Sequence, residues 1–232
     1  MWLACAILAI VLLWIEQRAE RGEETAGRYK AALELLGEPH ARVGGIHLLE
    51  RLVQDAPRTY HRPMVETLTT FIRTSAPWPP PSHPDREVDV MAKRRPSPDV
   101  QAAVTALGQR DRALDGPRSL LRLSDVNLRG VSLRAGHFEG IRLRRSRLEN
   151  AVLEGAQLQE AKLRDAHFEG ADFSADPEEG LGAANLEGAS LIGANFKGAN
   201  LTGARLAGAV YNKQTRWPDN FDPDVANAIL SE

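Results

Sequence analysis

Every fifth residue from Leu123 to Tyr211 is large and apolar, with a single interruption. The series runs Leu123, Leu128, Leu133, Phe138, Leu143, Leu148, Leu153, Leu158, Leu163, Phe168 and Phe173, then resumes at Leu186, Leu191, Phe196, Leu201, Leu206 and Tyr211. Two positions before each centre stands a small or aliphatic residue, always Ala from Ala151 onward, and Gly recurs two positions after. A helix would spread residues five apart about 140° around its axis, leaving no apolar face. A plain strand would send alternate centres to opposite sides. The period fits a short extended piece followed by a turn, with the centre and the residue two before it pointing inward and Gly permitting the bend. A fixed repeat of this kind defines a solenoid.

The pentads A-N-L-E-G, A-S-L-I-G, A-N-F-K-G and A-N-L-T-G resemble those of pentapeptide-repeat proteins. That resemblance implies a right-handed quadrilateral β-helix with four pentapeptides per turn. Eleven centres precede the interruption and six follow it, enough for roughly four turns. Between Phe173 and Leu186 eight residues exceed the register, and Asp176-Pro177-Glu178-Glu179-Gly180 is turn chemistry, so the 176–183 insertion reads as a surface loop.

The rest of the chain is organised around that rod. Trp2 to Ile15 is an unbroken apolar run of 14 residues, ended by Glu16. It lacks the basic start and small-residue cleavage site of a signal peptide, and Cys5 stands too near the terminus to accept a lipid. A buried core helix is the competing reading. Trp2 and Trp14 bracket the run like interfacial anchors, which favours a single membrane anchor over residues 1–15, short against the ~20 residues of a full span. Arg18, Arg21, Arg28 and Lys30 follow it. The positive-inside bias then places the C-terminal region in the cytoplasm, on a bacterial inner membrane.

Residues 16–75 read as a helical module. Ala26, Tyr29, Ala32, Leu33 and Leu36 form one stripe, Val43, Ile46, Leu49 and Val53 a second, and Val65, Leu68 and Ile72 a third, with Pro63 in that helix's first turn. Gly44-Gly45 inside the second helix suggests close helix–helix approach. The string R-V-G-G-I-H-L-L-E-R-L-V-Q-D-A-P resembles HEAT-like helical pairs of membrane-anchored bacterial pentapeptide-repeat proteins. A Pro-rich linker follows over 76–97, in which Trp78 is expected to fold back on the helices. Ser97 and Pro98 then open a capping helix within 98–120. The β-helix occupies 121–213, and 214–232 forms a C-terminal cap with a helical stretch from Asp224 to Leu230. The fold class is α+β.

Catalytic motifs are absent: no G-x-S-x-G, Walker A, H-E-x-x-H or CxxC occurs. His137 and His167 belong to centres six pentapeptides apart, hence on opposite faces, and cannot share a metal. His40, His47 and His61 read as structural. We expect no enzyme, no catalytic residue, no cofactor, no metal and no small-molecule substrate, but a membrane-tethered scaffold presenting a rigid rod to a protein or other macromolecular partner. The alternative is a DNA mimic that binds a topoisomerase, as some pentapeptide-repeat proteins do. It is disfavoured by the anchor and by a near-neutral rod, with 12 Asp/Glu against 11 Lys/Arg over 121–211.

Four pentapeptides per turn would stack centres 20 residues apart. Arg122, Arg142 and Lys162 then share a column, with Arg144 and Arg164 in the next and Arg145 beside them, opposed only by Asp125 and Asp165. This is the candidate binding face, suited to an anionic partner: acidic protein, lipid headgroups or nucleic acid. The face of centres 138, 158 and 186 would carry Glu139, Glu160 and Glu187 with no Lys or Arg.

Overall fold

The structure, a computed structural model, describes residues 23–79, 96–116, 121–219 and 221–231. The anchor expected over 1–15 and most of the linker lie outside the described residues. Among the described residues no helix is long and apolar enough to cross a membrane. The chain divides into two compact units, Met1–Tyr60 and His61–Glu232.

In the first unit, α1 (helical over 23–37) and α2 (Arg42–Asp55) pack closely. A Cβ on Gly45 would lie 2.9 Å from the Ala32 carbonyl oxygen and 3.0 Å from the Leu36 nitrogen, so the missing side chain is what admits α1. Ala32, Leu36, Ile46, Leu49 and Leu52 are buried there. The first stripe is narrower than its apolar residues suggest, since Ala26, Leu33 and Val43 are exposed. The third helix, α3, spans Pro57–Ser75 and starts six residues before Pro63. Pro57 takes the first-turn place, where its missing N–H has no helical acceptor to lose, and Pro63 is accommodated inside the helix.

In the second unit the chain coils as the five-residue period requires. Parallel bridges join Arg122 to Arg142 and on to Lys162, Asn127 to Arg147 to His167, Ser132 to Val152 to Asp172, and His137 to Gln157. All of these steps are 20 residues, so four pentapeptides make a turn. After the insertion the step becomes 28, with Gln157 to Asn185 and Lys162 to Ser190, and returns to 20 from Asn185 to Arg205. The eight extra residues therefore bulge out as one loop and leave the register intact. Asp176 and Leu181 pair across its neck, and Asp176 accepts the Glu178 and Glu179 amides.

The strand pieces are single bridges, and the rod's order lies in its coil-to-coil ladder: Leu158 N–H to Asn185 O at 2.7 Å, Leu163 N–H to Ser190 O at 2.9 Å. Every centre from Leu123 to Leu191 is buried, with its inward partner beside it. The residue two after each centre takes positive φ, as at Gly155 (68°) and Gly193 (69°). Aromatic centres stack along the axis, Phe168 on Phe196 at 5.2 Å and Phe196 on Trp217 at 5.3 Å.

Both ends of the second unit are capped. Helix α4 (Pro98–Gly108) buries Val100, Val104 and Leu107. Ser97 holds its N-cap place without a side-chain cap bond. The helix is shorter than the 98–120 expected, because the chain turns through a 3-10 turn at Arg112–Leu114. The Gly108 carbonyl accepts the His137 amide, while the Gln101 side chain both accepts the Ser132 amide and donates to its carbonyl. Residues 76–78 add an unexpected third piece, pairing antiparallel with Val126. Trp78 lies over the Arg147 guanidinium at 4.5 Å, so it docks on the rod and not on the helices. This cation–π contact gives the indole a partner that an apolar helix face does not offer.

At the far end, β1 (Val210–Tyr211) pairs in parallel with β2 (Ile229–Leu230). The helix expected over Asp224 to Leu230 is replaced by turns and this strand. Asp222 caps the Asp224 and Val225 amides, but Asn227 at φ 56° ends the winding, and the Ile229 and Ser231 amides reach the open carbonyls of Ala209 and Tyr211.

Beneath α4 sits a buried ionic knot. Arg110 donates to both Asp115 oxygens and, through Nη1, to the Leu107 carbonyl at 2.6 Å and the His137 carbonyl at 2.5 Å. His61 Nε2 lies 2.8 Å from Asp115. Burial pushes the Asp115 pKa up, but the hydrogen bonds and charges of Arg110 and His61 outweigh it and hold the carboxyl below its ordinary 3.8.

Two outcomes follow from this packing. Leu158→Ala, at a centre with no exposed surface, should lower unfolding free energy by about 2–5 kcal/mol in denaturant titration; unchanged stability would refute the register. Asp115→Asn strands the Arg110 guanidinium, only 1% exposed, and should cost about 3 kcal/mol near neutral pH. Because the folded pKa of Asp115 is depressed, its stabilisation is complete above about pH 4 and is lost as pH falls through the lowered value. The wild-type excess over Asp115→Asn should accordingly shrink in melts taken below that pH.

Candidate binding face

The coil geometry brings the sequence-expected cations together. Arg122, Arg142 and Lys162 occupy successive positions of one bridged column, about 4.8 Å apart. All three are exposed, as is Arg144 in the column beside them. Among the described residues none of these four has an ion-pair partner. Nothing in a stiff coil lets such side chains drift apart at the Cα, so their mutual repulsion is relieved only by splaying into solvent or by an anion.

Arg145 and Arg164 behave differently. Arg145 reaches one coil back and donates from Nε and Nη2 to the two oxygens of Asp125, at 2.7 and 2.8 Å. Those bonds and the charge of Asp125 raise the Arg145 pKa above its ordinary value. Asp125, Arg145 and Asp165 all sit at positive φ (58°, 55° and 55°), a conformation costing a non-glycine residue roughly 1–2 kcal/mol. Arg164 Nε stands 3.4 Å from Asp165. Two of the six candidate cations are thus already answered within the rod.

The opposite-sign face is corrected by the structure. The column of His137, Gln157 and Asn185 continues to Arg205, whose Nη2 lies 2.6 Å from Glu187, and Arg112 of the cap reaches Glu139 at 3.1 Å. The sequence comparison stopped one coil short and left out the cap, so these carboxylates looked unopposed.

His137 and His167 do stand on different faces, in the columns of Gln157 and Arg147 respectively. His61 takes part in the knot with Asp115, and His47 pairs with Glu50 at 2.9 Å. Sequence reasoning missed one cluster. Among the described residues, Glu149, His167 and Glu169 each place a ligand atom within 4.8 Å of the other two. The signal was available: His167 and Glu169 flank one centre outward, and Glu149 precedes Glu169 by one 20-residue coil.

A coiled rod of five-residue units, capped at both ends and patterned in charge on its faces, defines a repeat scaffold. The family model for pentapeptide repeats matches eight copies, over residues 122–156, 137–174 and 181–210. The chain belongs to the pentapeptide-repeat family. Among solved structures, a pentapeptide repeat protein of the Arabidopsis thaliana thylakoid lumen is 28% identical over 44% of this chain and 59% of its own length, with a TM-score of 0.36. A pentapeptide repeat protein from Nostoc is 32% identical over 47% of this chain and 80% of its own, at a TM-score of 0.25. One from the cyanobacterium Cyanothece is 30% identical over 53% and 76%, at 0.27. No curated protein matches the chain.

Proposed function

We propose that this chain is a non-catalytic scaffold, tethered to a bacterial inner membrane by residues 1–15 with its C-terminal region in the cytoplasm, whose rod engages an acidic macromolecular partner through Arg122, Arg142, Arg144 and Lys162. The observation that carries this reading is the column of Arg122, Arg142 and Lys162, exposed and without an ion-pair partner among the described residues. Elsewhere on the rod the charged columns are mixed, as where Arg134 pairs with Glu154 or Arg145 with Asp125. A like-charge column is the exception in this molecule and favours an anionic partner. A DNA mimic would need the reverse sign on its presenting face. The tether rests on the apolar run of residues 1–15 with cations following it. The helical module before the rod, HEAT-like in its sequence, would set the rod's distance from the bilayer.

Full-length chain should capture its partner from solubilised membranes, with capture falling as salt rises. Arg142→Glu/Arg144→Glu should weaken capture about tenfold, reversing two exposed charges, whereas Glu139→Gln/Glu187→Gln should leave it intact. Equal capture by the charge-reversed and wild-type chains would sink the assignment of this face. Deleting residues 1–15 should move the protein from the membrane pellet to the soluble fraction; a variant still in the pellet after a salt wash would overturn the tether.

A further inference from the structure

We propose that Glu149, His167 and Glu169 form a binding site for a divalent transition-metal cation of the zinc type. Coil geometry sets it up. Glu149 and Glu169 follow one another in a column that also holds Arg129 and Lys197, and the Asn150 amide donates to the Glu169 carbonyl across that step. His167 stands two residues before Glu169, in the column of Arg147. The three ligand atoms lie within 4.8 Å of one another.

The hydrogen bonding around the cluster stops short on one side. Glu149 is only 4% exposed. Arg147 Nε bonds its Oε1, and Arg129 Nη1 approaches that same oxygen at 3.8 Å. Its Oε2 is buried and has no hydrogen-bond partner. Glu169 repeats the pattern. His167 Nδ1 and Asn195 Nδ2 lie 3.2 and 2.5 Å from its Oε1, and its Oε2 is buried without a partner. Two carboxylates one coil apart thus each direct their donors to one oxygen and leave the other unanswered. A buried anionic oxygen with no donor is costly, and a cation shared by two of them removes both costs at once.

The donor set selects the ion. One imidazole nitrogen with two carboxylate oxygens suits zinc and its neighbours, with a position left open for water. Calcium and magnesium call for six or more oxygens, which this cluster does not supply. Ligand atoms on a tetrahedral zinc lie closer together than 4.8 Å, so the site must contract. His167, with 41% of its side chain exposed, can turn its ring to do so, giving up its bond to Glu169 for one to the metal. Burial pushes the Glu169 pKa up, but the bonds from His167 and its own backbone, with the charge of Arg147, keep it below the ordinary value, so this ligand is deprotonated at neutral pH. Arg129 and Arg147 oppose an added cation, which makes the site weaker than a closed structural zinc centre.

The test uses the untagged full-length chain in detergent, stripped of metal and titrated with zinc at neutral pH by equilibrium dialysis. One zinc per chain should bind. His167→Ala should abolish binding and Glu149→Gln should weaken it at least about tenfold. Removing a competing charge in Arg129→Gln should tighten it. His137→Ala, on another face, should change nothing, and excess magnesium should not compete. His167→Ala alters an exposed side chain, and a thermal melt matching wild type certifies its fold even where Glu149→Gln disturbs the Arg147 pair. No stoichiometric zinc, or zinc held equally by wild type and His167→Ala, would overturn the site.

Discussion

The second unit depends on one constraint: each coil of the rod finds backbone partners only in the coil before and the coil after. A five-residue unit closes no helical bond and forms no sheet of its own. The Leu143 amide needs the Lys162 carbonyl and the Arg142 amide needs the Leu121 carbonyl, at 2.9 Å each. The first and last coils therefore have a row of unmatched groups, which in water-exposed strands invites edge pairing. Residues 76–78, the Gln101 side chain, Gly108 and β2 each answer part of those rows. The buried knot of Arg110, Asp115 and His61 then fastens α4 and α3 to the first coil, so the cap is held by charge as well as by Val104 and Leu107.

The same stacking rules the surface. Outward side chains cannot choose their neighbours; they meet whatever lies 20 residues away. The rod handles most of these enforced meetings by alternating sign, with Arg145 over Asp125 and Arg134 over Glu154. Arg134 also reaches Asp176 at the neck of the inserted loop, tying the loop to the wall. Two columns depart from alternation. Arg122, Arg142 and Lys162 share a sign and face water. Glu149 and Glu169 share a sign and are sheltered, and their flanking cations leave one oxygen of each unmet. Both departures concern side chains whose backbone is already fully bonded, so neither is needed to build the coil.

Much of this was legible in the sequence because a pentad repeat fixes which residues point inward and which meet across coils. The inward positions, the four-pentad turn, the bulging of the insertion and the close approach at Gly45 all follow from spacing and residue size. What was hidden lay where the repeat ends. Trp78 sits among prolines, and nothing local says that its partner is Arg147, 69 positions on. Asp224 to Leu230 has helical composition, but the unpaired carbonyls of Ala209 and Tyr211 compete for its amides and win. The start of α3 was misplaced because two prolines six residues apart both suit a first turn. The Glu149 cluster went unseen because histidines were compared only with histidines, although the coil offset that separates His137 from His167 also brings Glu149 beside Glu169.

The inserted loop leaves the wall after Phe173 and returns at Ala184, whose amide donates straight back to the Phe173 carbonyl at 2.9 Å. Its two ends thus meet within a single hydrogen bond, and the coil beyond resumes as though nothing had intervened. For a protein engineer this is a ready-made port. A fluorescent tag, an epitope or a small folded domain whose termini lie close together would hang from the side of the rod there without altering a coil above or below.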